Sequence, residues 1–107
     1  MTFYIKQNDT SPIMQATLQD ADGNAVDLTG SSVQFHMRPL GGTTITVDAA
    51  ASIVTALSGI VRYVWDAADT ATIGSYQAEF EVTYADASVE TFPNNGYIRV
   101  EIIDDIT

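Results

Sequence analysis

The sequence predicts an all-β protein, an antiparallel β-sandwich of about seven to nine strands. The first observation behind this prediction is alternation. From Tyr76 to Tyr84, apolar side chains occupy every second position, and polar side chains, including Glu79 and Glu81, lie between them. Only an extended strand places such a set on one face, because a helix would scatter it around its circumference. The second observation is spacing, since turn residues recur at intervals of about 8–12 residues.

Turn residues and alternation together define the elements in chain order. Pro12 begins a strand, where its missing N–H does little harm. Turns are predicted at residues 20–23, 39–42, 85–88 and 93–96. Strands are predicted at residues 2–6, 12–19, 32–38, 43–47, 51–57, 59–65, 76–84, 89–92 and 97–103. Residues 66–74 are predicted to form a helical turn or loop, which Asp66 can cap and Gly74 can end.

Length and composition indicate one folded domain, residues 1–107. The chain has 107 residues, of which 46% are hydrophobic and 17% are charged, and this fits a packed globule better than a disordered segment. No apolar run approaches the roughly 20 residues of a membrane span. The N-terminus also lacks the basic start and apolar core of a signal peptide. We therefore expect no membrane partner and no Sec export.

Charge and cysteine content exclude several classes of function. Four Lys and Arg against fourteen Asp and Glu give a formal net charge of -10. This field repels a phosphate backbone, so nucleic acid is not an expected direct partner. The sequence contains no cysteine. A disulfide, a thiol nucleophile and a thiolate metal site are therefore all excluded within one chain.

No group of residues has the spacing of a catalytic or metal-binding motif. His36 is the only histidine, so one chain cannot build a multi-histidine metal site. Glu79 and Glu81 lie two apart on one strand face, but a glycosidase needs one acid in an apolar pocket, whereas these share their face with polar residues. Residues 20–27 carry oxygen ligands, as calcium loops do, but lack the glycine and glutamate positions of an EF-hand. We predict no enzyme, cofactor or metal, with a glycoside hydrolase fragment as the enzymatic alternative.

The segment that leads into residues 76–84 is typical of a sandwich corner. In immunoglobulin-like sandwiches, a tyrosine near the start of one strand fixes the strand entry by bonding its hydroxyl to upstream backbone. Tyr76 follows an Asp-led loop and Gly74, and Trp65 ends the preceding strand. We therefore predict an immunoglobulin-like sandwich in which Tyr76, Gly74, Trp65 and Phe80 form the corner and core. The alternative for the aromatic residues is an exposed platform for stacking on sugars or bases.

Four sequence features follow one another in a fixed order. They are Asp-Gly-x-x-Val-Asp-Leu-Thr-Gly at 22–30, Gly-x-Val-x-Tyr-x-Trp at 59–65, Gly-x-Tyr-x-Ala-Glu-Phe at 74–80, and the pair Phe-Pro at 92–93. In this order and spacing, the chain resembles the N-terminal domain of tailed-phage baseplate upper proteins, often called BppU-N. The resemblance covers roughly residues 3–103.

The resemblance implies an immunoglobulin-like attachment module of a bacteriophage virion, made in the host cytoplasm, whose partners are other phage virion proteins. In that family the domain usually precedes a longer C-terminal part that becomes a fibre or a receptor-binding element, whereas this sequence stops where the domain ends. We therefore expect a structural role in docking, decoration or adaptation at the tail, baseplate, neck or capsid, with homo-oligomers in the particle as an option. The alternative is a module that binds a glycan or protein of the host surface.

The expected partner contacts are the first strand, as a sheet edge, and two loops. An edge strand offers unpaired N–H and C=O groups to a neighbour, and loop tips present specific side chains. The residues expected at these contacts are Phe3, Tyr4, Ile5, Pro39, Leu40, Pro93, Asn94 and Tyr97.

Overall fold

In the computed structural model, which describes residues 2–106, the chain forms eight strands and two short 3-10 helices. The strands are β1 (Thr2–Lys6), β2 (Met14–Thr17), β3 (Ser32–Pro39), β4 (Val47–Thr55), β5 (Ile60–Tyr63), β6 (Gly74–Thr83), β7 (Val89–Phe92) and β8 (Ile98–Ile103). The 3-10 helices span Ala56–Ser58 and Ala67–Thr70. No helix among the described residues is long and apolar enough to cross a membrane.

The strands form one mixed sheet in the order β1-β8-β6-β3-β4-β5-β2, and β7 pairs with the part of β6 that β8 leaves free. The β1–β8 pair is parallel, with Thr2 opposite Arg99 and Lys6 opposite Ile103. The prediction of an antiparallel sheet is therefore wrong at this edge. A parallel pair requires a long crossover connection, and here the connection is the rest of the chain, because β1 and β8 are the first and last strands.

Strand β4 corrects the prediction of two separate strands at 43–47 and 51–57. Residues 43–46 lie in a loop, and one continuous strand follows from Val47 to Thr55. Its first half pairs with β3 and its second half with β5, with a register shift between Ile53 and Thr55. Asp48 and the three alanines after it contain no turn-forming glycine or proline, so the chain stays extended where the sequence was interpreted as a break. Bulges of this kind increase the local bend of a strand.

The sheet curls over itself and is nearly closed, like a barrel. The rings of Phe35 on β3 and Tyr63 on β5 stack with centroids 4.5 Å apart. In a flat sheet these strands, with β4 between them, would lie about 9–10 Å apart. The side chains therefore meet across the core because β4 bends. The largest fully buried side chains include Phe35, Phe80, Met14, Leu28, Met37 and Ile102.

Tyr76 and Trp65 are both buried, with exposed fractions of 4% and 3%. The Tyr76 hydroxyl donates to the backbone carbonyl of Thr72 at 2.6 Å, which ties the start of β6 to the loop before it. Trp65 was predicted to belong to the same corner and core as Tyr76, and its aromatic neighbours among the described residues are Phe3, Phe35 and Tyr63. The indole therefore stabilises the side of the core that faces β1 and β5.

Replacing Tyr76 with phenylalanine tests the corner hydrogen bond. The variant keeps the ring but leaves the Thr72 carbonyl without its donor, so we expect the free energy of unfolding to fall by about 1–3 kcal/mol. Urea denaturation followed by tryptophan fluorescence measures the loss. An unchanged free energy would show that water replaces the hydroxyl and that the bond does not fix the strand entry.

The segment after β5 is ordered by reciprocal hydrogen bonds around its 3-10 helix. The Asp66 carboxylate accepts from the backbone N–H of Ala68 at 3.0 Å, and the Asp69 carboxylate accepts from the backbone N–H of Asp66 at 2.9 Å. Asp69 also accepts from the Tyr63 hydroxyl at 2.5 Å. Burial, with the bond to Asp69 as the next cause, raises the pKa of the Tyr63 hydroxyl above its ordinary value. Asp66 was correctly predicted as the cap, and the interlocked carboxylates explain why this loop adopts one conformation.

A loss of stability at alkaline pH follows from the buried tyrosine hydroxyls. Burial and the hydrogen bond to Glu90 raise the pKa of Tyr84 to about 12, whereas tyrosines in an unfolded chain ionise near pH 10. As the pH rises, the Tyr84 hydroxyl therefore loses its proton in the unfolded chain before it does so in the folded protein. The contribution of the protonated Tyr84 hydroxyl to the free energy of unfolding is fully present below about pH 10 and is lost as the pH rises toward 12.

We expect the free energy of unfolding, measured by urea titration, to fall between about pH 10 and pH 12, the interval between these two pKa values. Tyr84→Phe removes one titrating group and should make the decline shallower. Identical slopes for Tyr84→Phe and the unmodified chain would contradict the account.

Candidate functional site

The side of strands β1, β8, β6 and β3 that points away from the core is a continuous polar surface, which we call the outer face. The strand registers align its residues in rows across the sheet. One row contains Thr2, Arg99, Gln77 and Arg38, and a neighbouring row contains Tyr4, Glu101 and Ser75. Three of the four Lys and Arg residues of the chain, Lys6, Arg38 and Arg99, lie on this face. The outer face also carries Glu79, Glu81 and Glu101, so its charges are nearly balanced in a protein of net charge -10.

One end of the outer face carries a tight hydrogen-bond network. The Ser75 hydroxyl donates to the Glu101 carboxylate at 2.8 Å, and Arg99 Nε donates to Glu101 Oε1 at 2.6 Å. The bond from Ser75, followed by the bond from Arg99, lowers the pKa of the Glu101 carboxyl. Glu101 is therefore ionised, and its side chain and that of Arg99 are held in one arrangement. A surface with fixed side chains loses less conformational entropy when a partner binds.

The middle of the outer face is a groove of about 460 Å³ between two loops. His36 lies in its floor, with Nε2 at 3.2 Å from Asp48 Oδ1 and Nδ1 at 3.6 Å from Glu79 Oε1. Arg38 donates to the Gln77 amide oxygen from Nε and Nη2 at 2.6 and 2.9 Å, with the amide oriented toward it. The exposed side chains of Ile45 and Tyr97 form the groove walls.

The acidic residues singled out from the sequence are exposed or hydrogen-bonded in the structure. Glu79 is 44% exposed and paired with His36, so it lacks the apolar pocket that a glycosidase acid requires. The calcium-like segment 20–27 forms a turn instead, in which the Asp20 carboxylate accepts from the backbone N–H groups of Asp22 and Asn24. Within residues 2–106, no three or more His, Asp or Glu side chains are arranged to hold a metal ion. Arg38 and Tyr97 line the groove, and arginine and tyrosine are enriched at protein interfaces.

The contact residues expected on β1 fall into two groups. Tyr4 is 59% exposed and projects from the outer face. Phe3 points the other way, half-buried against Trp65 at a centroid distance of 5.8 Å. Ile5 is 3% exposed and belongs to the core. It was expected as a contact residue, but it does not lie on the surface that a partner can reach. The alternation of the strand explains the split.

The contact residues expected on the two loops are half-buried or exposed. Leu40 is exposed beside half-buried Pro39, and its backbone N–H donates to the Ser75 carbonyl at 2.9 Å. In the other loop, Asn94 is exposed and its amide donates to the Thr91 carbonyl at 2.9 Å. Half-buried Pro93 precedes it. Only Tyr97 of these loop residues lines the groove itself.

The sequence did not predict that the polar residues of the outer face lie together. His36 and Glu79 were interpreted as outward-facing strand residues, and that orientation agrees with their partial exposure. Their mutual contact depends on the β3–β6 register, in which they are directly opposite. The signal available in the sequence was the alternation of the two strands, which assigns a face to each residue but does not pair one strand with another.

Comparison with known proteins bears on both fold and function. The sequence matches the family described as the BppU N-terminal domain over residues 2–104. No curated protein sequence matches it significantly. Among solved structures, CopC from Methylosinus trichosporium OB3b superposes with a TM-score of 0.55 at 13% identity, covering 99% of this chain and 87% of that chain. At this identity, the similarity to CopC shows a shared β fold.

Proposed function

Because the chain belongs to the family of the BppU N-terminal domain, we propose that it is a structural protein of a bacteriophage particle, held in or near the baseplate by protein–protein contacts. The observation that carries the proposal is the family match, which spans residues 2–104 and so nearly the whole described chain. The resemblance inferred from motif order is thereby confirmed. The family is one of baseplate-related phage proteins, and the virion is the proposed location.

The proposed role is that of an adaptor or decoration module with an immunoglobulin-like sandwich. The hydrogen bond from Tyr76 to Thr72 supports an immunoglobulin-like corner, since such sandwiches fix a strand entry in this way. The two 3-10 helices are short, so the sheet supplies most of the rigid surface. A rigid sheet suits a part that must hold the same geometry in every copy of a repeating assembly.

The outer face is the proposed contact surface. It combines a preorganised network at Arg99 and Glu101 with a groove that has apolar walls. Copies of a chain with net charge -10 repel one another, and this repulsion is weakest where the cations are concentrated. Electrostatic repulsion therefore opposes docking through the outer face less than it opposes docking through the more acidic remainder of the surface.

Binding of a host-surface glycan is the second function considered, and the burial of Trp65 weakens it. An exposed tryptophan would have offered a stacking platform, but this side chain is 3% exposed. The exposed aromatic residues Tyr4 and Tyr97 suit a protein interface as well, because tyrosine is enriched there. We therefore place the glycan alternative second.

A charge-reversal pair tests the proposed contact surface. Arg38→Glu changes the outer face, and Arg62→Glu makes the same change in net charge on β5, away from that face. Phage carrying each variant are purified, and the content of the chain is measured by quantitative mass spectrometry against a major tail protein. Circular dichroism of the isolated variants checks folding.

We expect Arg38→Glu to lower incorporation by about tenfold or more, which corresponds to about 1.4 kcal/mol of lost contact energy. Arg62→Glu should be incorporated normally. Equal incorporation of the two variants would exclude the outer face as the contact. Binding of the isolated protein to a glycan array, together with absence of the chain from particles, would favour the host-surface alternative.

A further inference from the structure

Strand β2 is a free edge of the sheet, and its unpaired side faces a groove. It stands last in the strand order and pairs only with β5. The backbone N–H of Leu18, just beyond the strand, donates to the Gly59 carbonyl at 2.8 Å. Because alternate residues direct their backbone groups to opposite sides, those of Gln15 and Thr17 point away from β5. Among residues 2–106, no backbone or side-chain partner outside the strand ladders reaches the N–H groups of these two residues.

The groove beside β2 has a volume of about 540 Å³ and runs along the strand. Its far wall is the connection between β7 and β8, with Phe92 and Ile98 buried at its base. Pro93 stands at the start of that connection and has no N–H to offer β2. The gap between β2 and the β7–β8 connection therefore stays open, and no strand pairing closes the sheet there.

Apart from its short length of four residues, the β2 edge lacks the features by which proteins usually block strand addition. Free edges are normally protected by charged side chains, prolines or bulges. The residues of β2 are Met14, Gln15, Ala16 and Thr17, none of which is charged, and the register with β5 is regular throughout. The opposite edge of the sheet, β1, carries Lys6 on its exposed side. Strand β7 also pairs on one side only, with β6, and it carries Glu90. Of these three strands, β2 is the one suited to accept a strand.

We infer that the β2 groove binds an extended segment of another phage protein, which adds to the sheet as a strand beside β2. This inference rests on the proposed function, since it names the partner's binding mode in the particle. The segment would exchange backbone hydrogen bonds with Gln15 and Thr17 and place alternate side chains toward Phe92 and Ile98. The groove accommodates about five residues of extended chain, at about 3.3 Å per residue along the segment from Gln15 to Gln19.

Charge decides which kind of segment fits. Asp20 is the only charged residue that lines the groove among the described residues, and the chain carries a net charge of -10. A segment with lysine or arginine is attracted by this field, whereas a second copy of the acidic chain is repelled. The partner is therefore a basic, extended segment of a different protein.

Hydrogen exchange of the chain, free and within purified particles, tests the inference. The measurement is deuterium uptake with single-residue resolution by mass spectrometry. In the free protein, the amides of Gln15 and Thr17 should exchange rapidly and that of Leu18 slowly. In particles, the first two should slow by about tenfold or more, as amides do when a ladder forms. Unchanged exchange at Gln15 and Thr17 in particles that contain the chain would overturn the strand-addition inference and leave the proposed function intact.

A photo-crosslinking amino acid in place of Gln19, at the mouth of the groove, identifies the occupant in assembled particles. Capture of a lysine- or arginine-containing segment of a different virion protein is the expected result. Capture of another copy of this chain would overturn the inference. Absence of the chain from particles in either experiment would overturn the inference and the proposed function together.

A proline variant gives an independent readout. Thr17→Pro removes an N–H that does not bond to β5, and Thr17→Ala retains it. We expect lower incorporation into particles for the proline variant and normal incorporation for the alanine variant, with unchanged Leu18 protection as the check that β2 still pairs with β5. Normal incorporation of a folded Thr17→Pro chain would count against strand addition at this edge.

Discussion

Phe80→Ala is expected to lower the free energy of unfolding by about 3–5 kcal/mol, the usual range for a buried phenylalanine. Phe80 is 0% exposed and lies in the middle of β6, directly opposite Phe35 on β3 and Phe92 on β7. Its ring centroid is 5.1 Å from that of Phe35. Removal of the ring leaves a cavity between three strands that cannot close without moving the sheet, so both burial and packing are lost.

Urea denaturation of the variant and of Glu81→Ala measures this effect with a matched control. Glu81 is the next residue on β6 but points to the opposite side and is partly exposed. We expect its replacement to change the free energy by about 0.5 kcal/mol or less, as surface substitutions usually do. A loss below about 1 kcal/mol for Phe80→Ala would show that the two faces of β6 have been assigned in reverse.

Gly59→Ala is the second change with a large expected effect, because two features require glycine there. Its φ is +65°, a conformation that costs an alanine about 1–2 kcal/mol. A Cβ atom would also lie 2.7 Å from the Leu18 carbonyl oxygen and 2.9 Å from that of Val26. Neither oxygen can retreat freely, because the Leu18 N–H bonds to Gly59 and the Val26 N–H bonds to Leu18. We expect a total loss of about 2–5 kcal/mol.

Gly41→Ala separates the two contributions at Gly59. Gly41 has a similar φ of +77°, but a Cβ atom there meets nothing within 4 Å. This control should therefore lose only the conformational part, about 1–2 kcal/mol. Equal losses for the two variants in thermal or urea denaturation would mean that the chain near Gly59 relaxes around the new methyl group and that the close approach has no energetic consequence.

The regular strands were predictable because burial on one face imposes alternation. Residues 32–38, 76–84 and 97–103 correspond closely to β3, β6 and β8. The pattern failed at β4, where small alanines gave a weak contrast between faces, and it contained nothing about strand direction. The parallel β1–β8 pair joins residues about 97 positions apart, such as Thr2 and Arg99. Local sequence does not encode such a pairing.

The candidate site was predictable only in outline. The loops at Pro39–Leu40 and Pro93–Tyr97 were expected to present side chains, and Tyr97 of the second loop lines the groove. The contact of His36 with Asp48 and Glu79 arises from three strands in register, and that register was unknown from the sequence. The groove beside β2 likewise depends on the curl of the sheet, since this curl brings β2 opposite residues 92–98.

The proposed place of the chain in a phage particle is tested most directly by imaging. Purified particles are labelled with an antibody raised against the isolated, folded protein and viewed by electron microscopy, with particles that lack the gene as the control. Because the chain belongs to the BppU N-terminal domain family, we predict that label clusters at the baseplate end of the tail. Unlabelled particles, in a lysate where the antibody detects the free chain, would contradict the assignment of this protein as a structural part of the virion.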